Sequence, residues 1–427
     1  MEYKENEVLQ YIEENDVKFI KLFFTDIFGT TKSISAQPGE LRKAFRRGIS
    51  FDASAVKGFL NASTSDLFIV PEAATLSVLP WRPQHGRVVR FFCDIRNPDG
   101  TEFSGDSRLI LKHAEAHARR LGYDINIGTE CEFYLFLLDE TGEPTRVPHD
   151  KASYCDLAPL DKGENVRREI CITLEQMGII PETSHHETGP GQHEVDFKPS
   201  LPLHAADNLA TFKTVVRTVA ARNGLFASFS PKPLGTQNAG SGLHINLSLM
   251  KDGVNLFDGT DLQDAARSFI AGILARIEEI TLFLNPLAQS YERFGCFEAP
   301  KFISWSRQNR SQLIRIPAAE SESARIELRS PDPSCNPYLA LALVIEAGLD
   351  GIERRLPLAP STDVNLFSAE HQELKSSLRS LPSSLQEAAK LAKDSAFVKR
   401  CLPQLALDTF VGEKASASYH DPAFWEI

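Results

Sequence analysis

Glu130 and Glu132 stand two residues apart in the otherwise apolar run GTECEFYLFLL (128–138). An unpaired carboxylate is costly to bury, so such a pair must neutralise, find partners or face away from the core. Side chains alternate across a β-strand. Read as a strand, INIGTECEFYL places both glutamates on one face and Ile127, Thr129, Cys131, Phe133 and Leu135 on the other. Three further segments repeat the pattern. GQHEVDF sets Gln192, Glu194 and Asp196 against His193, Val195 and Phe197. GLHINLSL sets His244, Asn246 and Ser248 against Leu243, Ile245, Leu247 and Leu249. ARIELRS sets Arg325, Glu327 and Arg329 against Ile326 and Leu328. Glu187, in HHETGPG, lies one glycine-rich turn before Glu194.

Taken singly, each segment is an ordinary solvated sheet face, a structural histidine or an ion-pair strand. On one shared sheet they gather acids, a histidine and arginines. Crowded carboxylates repel, and a hard divalent cation relieves the repulsion. Mg²⁺ or Mn²⁺ suits an oxygen-rich donor set better than Zn²⁺. Five acids and a histidine exceed what one Mg²⁺ that keeps its waters needs, so two or three ions per site are expected. Arg310 and Arg315 in NRSQLIRIP and Arg293 in SYERFG add guanidinium forks that hold carboxylate or phosphate oxygens. Acid-held cations beside an arginine cluster describe phosphoryl transfer between a nucleotide and an anionic substrate. A metal-dependent hydrolase is a second reading of the acids, but it has no need of so many arginines. NAGSGLH lacks the lysine and the spacing of a phosphate loop.

The elements that must position these groups are visible around them. DVKFIKLFFTDIFGTTKSIS reads as a strand and hairpin, PGELRKAFRRG as a short helix ending in glycine, and RVVRFFCDIRNPDGTEF as a strand closing on a turn. Residues 1–103 are therefore predicted to form a small α+β unit. GDSRLILKHAEAHARRLGY reads as a helix capped by Asp106 or Ser107 and stopped by Gly122, and it opens a larger unit over 104–427. There strands and helices alternate, with long helices in DAARSFIAGILARIEEITLFL and NPYLALALVIEAGLDGI. SSLRSLPSSLQEAAKLAKDSAFVKRCL reads as a Ser-rich hinge followed by one amphipathic helix.

The 427 residues carry a formal charge of −11 and no long basic run, which argues against nucleic-acid binding. No apolar run reaches membrane-span length, and MEYKENEVLQ is not a signal peptide. The seven cysteines form no CxxC pair and are read as reduced thiols of a cytoplasmic protein.

The blocks FTDIFGT, SFDASAVKGF, PWRPQHGRV, ECEF, YCDLAPLDKGENVRREI, SHHETGPGQHEVDF, PKPL, GSGLHINLSL, NRSQLIRIP and RIELRSPDPSCNPYLALA occur in the order of one family. Over nearly its whole length the chain resembles bacterial type I glutamine synthetases. The resemblance implies an α+β fold: a β-grasp-like N-terminal domain, then a catalytic domain whose antiparallel half-barrel sheet is flanked by helices. It also implies a double-ring dodecamer built from hexameric rings, with each active site shared between neighbouring subunits.

By position, the resemblance implies one metal site of Glu132, Glu187 and Glu194 and another of Glu130, His244 and Glu327. Arg293, Arg329 and the Gly240 backbone fall where the family holds L-glutamate. Arg310, Arg315 and Arg325 face the ATP phosphates, and Glu182, Asn246 and Ser248 fall at further ATP contacts. Glu298 matches the loop glutamate that covers the site and takes a proton from ammonium. Asp52 matches the acid that the adjacent subunit supplies to the ammonium site, and Tyr154 matches an aromatic lining that pocket. The implied reaction joins L-glutamate and ammonia at the expense of ATP, with Mg²⁺ or Mn²⁺ as cofactor. A γ-glutamyl-amine ligase acting on an alkylamine or polyamine is the alternative, and a non-catalytic homologue is a third reading.

The chain departs from the family pattern in places. Ala55 stands where a serine is common, and Ala239 where an asparagine is usual. The segment between Arg293 and Glu298 is one residue short, and Glu320 and Glu322 replace basic or glycine positions. Phe367 stands where some relatives carry a modified tyrosine, and Asn61 near a feedback arginine, so neither form of control is expected. HDPAFWEI ends slightly earlier than in many relatives, which bears on ring-to-ring contact.

Overall fold

In the computed structural model, residues 4–416 are described, so HDPAFWEI lies outside them. The N-terminal part runs α1 (Glu5–Glu14), β1 (Val17–Thr25), β2 (Thr31–Ala36), α2 (Leu41–Arg47), β3 (Ile49–Asp52), β4 (Asp66–Pro71), β5 (Ser77–Val78) and β6 (Arg87–Arg96). Its sheet has the order β2-β1-β6-β4-β3, with β5 beside β6. β1 and β6 pair parallel and the other pairs are antiparallel. Ile20, Leu22, Leu67, Ile69, Val89 and Phe91 alternate inward from these strands into a core of their own. Gly48, at φ +74°, ends α2 as the sequence indicates.

The larger part follows as α3 (Ser107–Arg120), β7 (Asp124–Leu138), β8 (Pro144–Pro148), α4 (Glu164–Gln176), β9 (Pro181–His186), β10 (Gln192–Phe197), α5 (Pro202–Arg222), β11 (Leu225–Ser228), β12 (Leu243–Lys251) and β13 (Val254–Asn255). It continues with α6 (Asp264–Leu284), β14 (Trp305–Arg307), β15 (Ile314–Ile316), β16 (Ile326–Leu328), α7 (Pro337–Glu353), α8 (Gln372–Ser377), α9 (Leu385–Asp394), α10 (Ala396–Cys401) and α11 (Gln404–Ala415). A ten-stranded sheet, ordered β14-β15-β16-β12-β7-β10-β9 with β8, β11 and β13 at its margins, curls into a half-barrel. All its pairings are antiparallel except β14–β15. α3 and α5 pack on β7, and the apolar faces of the strands and helices merge into one large core.

One feature differs from the sequence expectation, and one helix contact could not be read from it. The single amphipathic helix expected near the C-terminus is two, because the Ser395 hydroxyl accepts from Val398 N and starts α10 afresh. α6 and α7 approach backbone to backbone: a Cβ added at Gly351 would lie 2.1 Å from the Ser268 carbonyl oxygen and 2.6 Å from Gly272 Cα.

One residue ties the two parts together. Arg108, buried at the start of α3, donates to both oxygens of Asp207 on α5 (3.0 and 2.8 Å), to Glu72 (2.6 Å) and to Asp94 on β6 (2.8 Å). The Asp106 carboxylate caps α3 at Arg108 N and accepts from Ile95 N of β6. Among the described residues, no helix is long and apolar enough to cross a membrane.

Candidate active site

Strand register converts the sequence pattern into three rungs on one face of the sheet. Glu132 of β7 pairs with Glu194 of β10, which pairs with His185 of β9. His244 of β12 pairs with Glu130, which pairs with Asp196 and then Thr183. Arg315 of β15 pairs with Glu327 of β16, and Glu327 with Asn246 of β12. The face opens into a cavity of about 930 Å³ lined by five of the six expected ion ligands, Glu130, Glu132, Glu187, Glu194 and His244, and by Arg293, Arg310, Arg315, Arg325, Arg329, Tyr154, Gly240 and Glu298; the sixth, Glu327, is buried behind them.

Two groups on this face could hold a metal ion: Glu130 with His244 and Glu327, and His185 with Glu187 and Glu194. His244 Nδ1 lies 2.9 Å from Glu130 and 3.5 Å from Glu327, and His185 Nε2 lies 2.7 Å from Glu187 and 3.8 Å from Glu194. A cation bound at about 2.0–2.1 Å holds neighbouring donor atoms about 3 Å apart, so both groups fit a small, hard divalent ion.

The electrostatics point the same way. Burial, then the Glu187 charge, pushes the Glu132 carboxyl up to about 7. Burial, then the charges of Asp196 and Glu132, pushes Glu194 well above the ordinary carboxylate range. Burial also works to raise Glu130, but the hydrogen bond and charge of His244 win and hold it at about 2. Cations bound at both groups would relieve the repulsion that remains.

The second group differs from the expected one. His185 stands with Glu187 and Glu194, while Glu132, which also lines the cavity, accepts from Gly242 N on its Oε2 at 2.8 Å. Its signal lay in the alternation of TSHHE: Thr183, His185 and Glu187 share one face once PETSHH is recognised as a strand. A third group, Asp150 with His186 and His193, lies beneath the sheet and is fully buried. It is already filled. His186 Nε2 meets Asp150 at 2.8 Å, and Arg167 donates to His193 Nδ1 at 2.8 Å while pairing with Asp161. With a guanidinium on the Nδ1 lone pair of His193, this hydrogen-bonded network supports β9 and β10 from below.

The arginines divide by burial. Arg329, 1% exposed, donates to Glu327 and stands 3.5 Å from Glu298 Oε2. Arg315 donates to the other Glu327 oxygen at 2.5 Å. Arg293, also buried, donates to the Ser330 carbonyl and packs against Gly240, where a Cβ would lie 2.9 Å from Arg293 Cγ. Arg310 is exposed at the cavity rim. Over the opening, Phe297 and Glu298 hold φ of +48° and +64°, a backbone that costs energy for any L side chain and marks a shaped loop. Lys232, which sequence reasoning did not single out, donates to the Asn238 carbonyl and sits 4.8 Å from the Phe297 ring centroid. The Tyr154 ring meets His185 edge-on at 5.3 Å.

Besides Glu327, four expected site residues do not line the cavity of this chain. Asn246 is engaged with Glu130 and Arg325, and Ser248 donates to the Ala324 carbonyl. Glu182 is exposed where the β9 register slips against β10. Asp52, at the end of β3, is exposed and caps Ser54.

Residues 16–98 match the family model described as "Glutamine synthetase, beta-Grasp domain", and residues 104–420 match "Glutamine synthetase, catalytic domain". The chain is 45% identical over 437 residues to the glutamine synthetase of Clostridium saccharobutylicum, covering 100% of this chain and 98% of that protein. It is 46% identical over 402 residues to that of Methanosarcina mazei, covering 93% and 90%. Among solved structures, a GmaS/ADP complex superposes with a TM-score of 0.86 at 28% identity, covering 95% of this chain and 94% of that one. A cryo-EM structure of Plasmodium falciparum glutamine synthetase superposes with the same score at 26% identity, covering 96% and 95%. With its sheet, its acidic face and its full length accounted for, the chain belongs to the glutamine synthetase family.

Proposed function

We propose that the chain catalyses the ATP-dependent ligation of L-glutamate and ammonia to L-glutamine, releasing ADP and phosphate by way of γ-glutamyl phosphate. One observation carries the reading: two ion-competent carboxylate–histidine groups and five arginines gather at a single cavity. Full-length relatives named glutamine synthetase support it. The division into an N-terminal domain (1–103) and a catalytic domain (104–427) is supported by two separate hydrophobic cores.

Mg²⁺ or Mn²⁺, held by Glu130, His244 and Glu327 and by Glu187 and Glu194 with Glu132 or His185, would neutralise phosphate and carboxylate charge. The chain's own groups do the rest. Arg293, Arg329 and the Gly240 backbone orient L-glutamate. Arg310, Arg315 and Arg325 face the ATP phosphates and offset the charge that develops as a γ-carboxylate oxygen attacks the γ-phosphorus and ADP leaves. The acyl phosphate is then attacked by ammonia, and inorganic phosphate leaves. Glu298 accepts the ammonium proton, and the 296–299 loop keeps water from the intermediate. Asp52 lies outside its own cavity, so it serves a neighbour's site in a hexameric ring, paired into a dodecamer. Seven unpaired cysteines support a cytoplasmic setting.

The test is phosphate release by the purified protein with Mn²⁺ or Mg²⁺, ATP and L-glutamate against a panel of amines. Release with ammonium is expected. Release with an alkylamine alone would replace this reading with a γ-glutamyl-amine ligase, and release with none would indicate a non-catalytic homologue.

A further inference from the structure

The Gln192 side chain is 1% exposed and reaches three separate pieces of the cavity. Its Nε2 donates to Glu132 Oε2 at 2.8 Å and to the Gly240 carbonyl at 3.2 Å. Its Oε1 accepts from Gly189 N at 2.9 Å, in the turn that follows Glu187. The same oxygen lies 3.2 Å from the Tyr134 hydroxyl, which donates to the Ala239 carbonyl at 2.7 Å. A glutamine amide offers two donors and two acceptor sites, and this one uses both donors and accepts from the buried Gly189 N–H. The packing leaves no slack: a Cβ at Gly189 would sit 2.1 Å from the Tyr134 hydroxyl and 2.7 Å from Gln192 Oε1.

The consequence falls on Glu132. Its Oε2 accepts from both Gln192 Nε2 and Gly242 N, so that oxygen is committed and Oε1 is the one left for a ligand. The same amide fixes Gly240, whose backbone lies against Arg293. We infer that Gln192 is a positioning residue that locks the Glu132 carboxylate and the 239–242 loop into one unit, setting the divalent ion and L-glutamate in a fixed relation. The inference rests on the function proposed above. An apolar side chain of similar length cannot donate to either partner, and the buried Gly189 N–H would also lose its acceptor.

Two measurements test it: Mn²⁺ binding to the nucleotide-free protein, and KM for L-glutamate and for ATP from phosphate release with ammonium. Gln192→Leu is expected to weaken Mn²⁺ binding about tenfold or more and to raise KM for L-glutamate by a similar factor, with KM for ATP within about twofold. Gln192→Met, equally long and equally unable to donate, is read in its place if the leucine variant does not fold. Tyr134→Phe removes only the bond to Ala239, and is expected to raise KM for L-glutamate while Mn²⁺ binding stays unchanged. Glutamine-192 variants that keep both values within twofold of the parent overturn the inference. So does a Tyr134→Phe protein that loses Mn²⁺ affinity as fully as they do. If the parent releases no phosphate with ammonium, the proposed function fails, while the Mn²⁺ titration still decides whether Gln192 holds Glu132.

Discussion

Glu327 accepts from Arg315 on one carboxylate oxygen and from Arg329 on the other, with His244 3.5 Å away. It is 1% exposed and its charge balances two guanidiniums; on the function proposed here it would also serve an ion beside Glu130. Replacing it with alanine leaves the buried Arg329 without its carboxylate. Breaking such a buried pair costs about 3–5 kcal/mol. Glu327→Gln keeps the shape and an acceptor oxygen but loses the charge. We expect Glu327→Gln to fold with a smaller stability loss than Glu327→Ala, and both to lose turnover by ~10²-fold or more. Phosphate release and urea denaturation measure the two effects separately, and full turnover in either variant would remove Glu327 from the site. Gly163 makes a steric point at the same scale. A Cβ there would lie 2.3 Å from His193 Cε1, so Gly163→Ala should shift the buried network under β10 and lower the urea midpoint.

Arg108 joins elements that the sequence places far apart, and its partners give the seam a pH dependence. Burial works to raise Glu72, but the charges of Arg108 and Lys112 prevail and lower it from its ordinary 4.5 to about 2. A carboxylate depressed in the folded state stabilises above its unfolded value and loses that contribution as pH falls through the folded one. The stability gap between the parent and Glu72→Gln should therefore be constant from pH 7 to about 5 and shrink towards pH 2, as followed by urea midpoints across that range. A gap that grows on acidification would mean the seam is held otherwise. At the α6–α7 contact, Gly351→Ala drives a methyl into backbone that cannot move aside, and a loss of about 1–3 kcal/mol is expected from thermal or urea unfolding. These elements also show what the sequence could and could not tell. The alternation in β7, β10, β12 and β16 was legible because period two is a local property, and the sheet register then delivered the rungs. His185 was missed because PETSHH contains a proline and two histidines and does not read as a strand on its own. The Asp150–His186–His193–Arg167–Asp161 network was invisible because its members meet only through β9–β10 pairing and the turn into α4. The split between α9 and α10 hung on one serine hydroxyl that propensity does not weigh.

Asp52 sets the problem at the scale of the whole molecule. It is exposed on the N-terminal sheet and absent from the cavity lining, whereas Glu298, the other acid proposed for the ammonium proton, lies at the mouth of the cavity. Beside that mouth, Tyr154, Leu157 and Leu160 are 57%, 79% and 62% exposed, an apolar edge that a single chain leaves open to water. If a second copy brings its Asp52 to this edge, contacts between copies are head-to-tail, and rotation closes them into a ring. Each site is then built from two different chains, and two inactive proteins become complementary. Asp52→Ala spoils the sites to which a chain lends its N-terminal sheet, and Glu327→Ala spoils the chain's own cavity. Dissociated and reassembled at equal amounts, they should form intact sites at about a quarter of positions, because an intact site needs an unaltered donor and an unaltered acceptor at once. Phosphate release by the reassembled mixture is expected near that fraction of the parent's, against almost none from either variant alone. Activity that stays at the level of the separate variants would mean that each chain completes its own site and that Asp52 belongs to the fold of the N-terminal sheet.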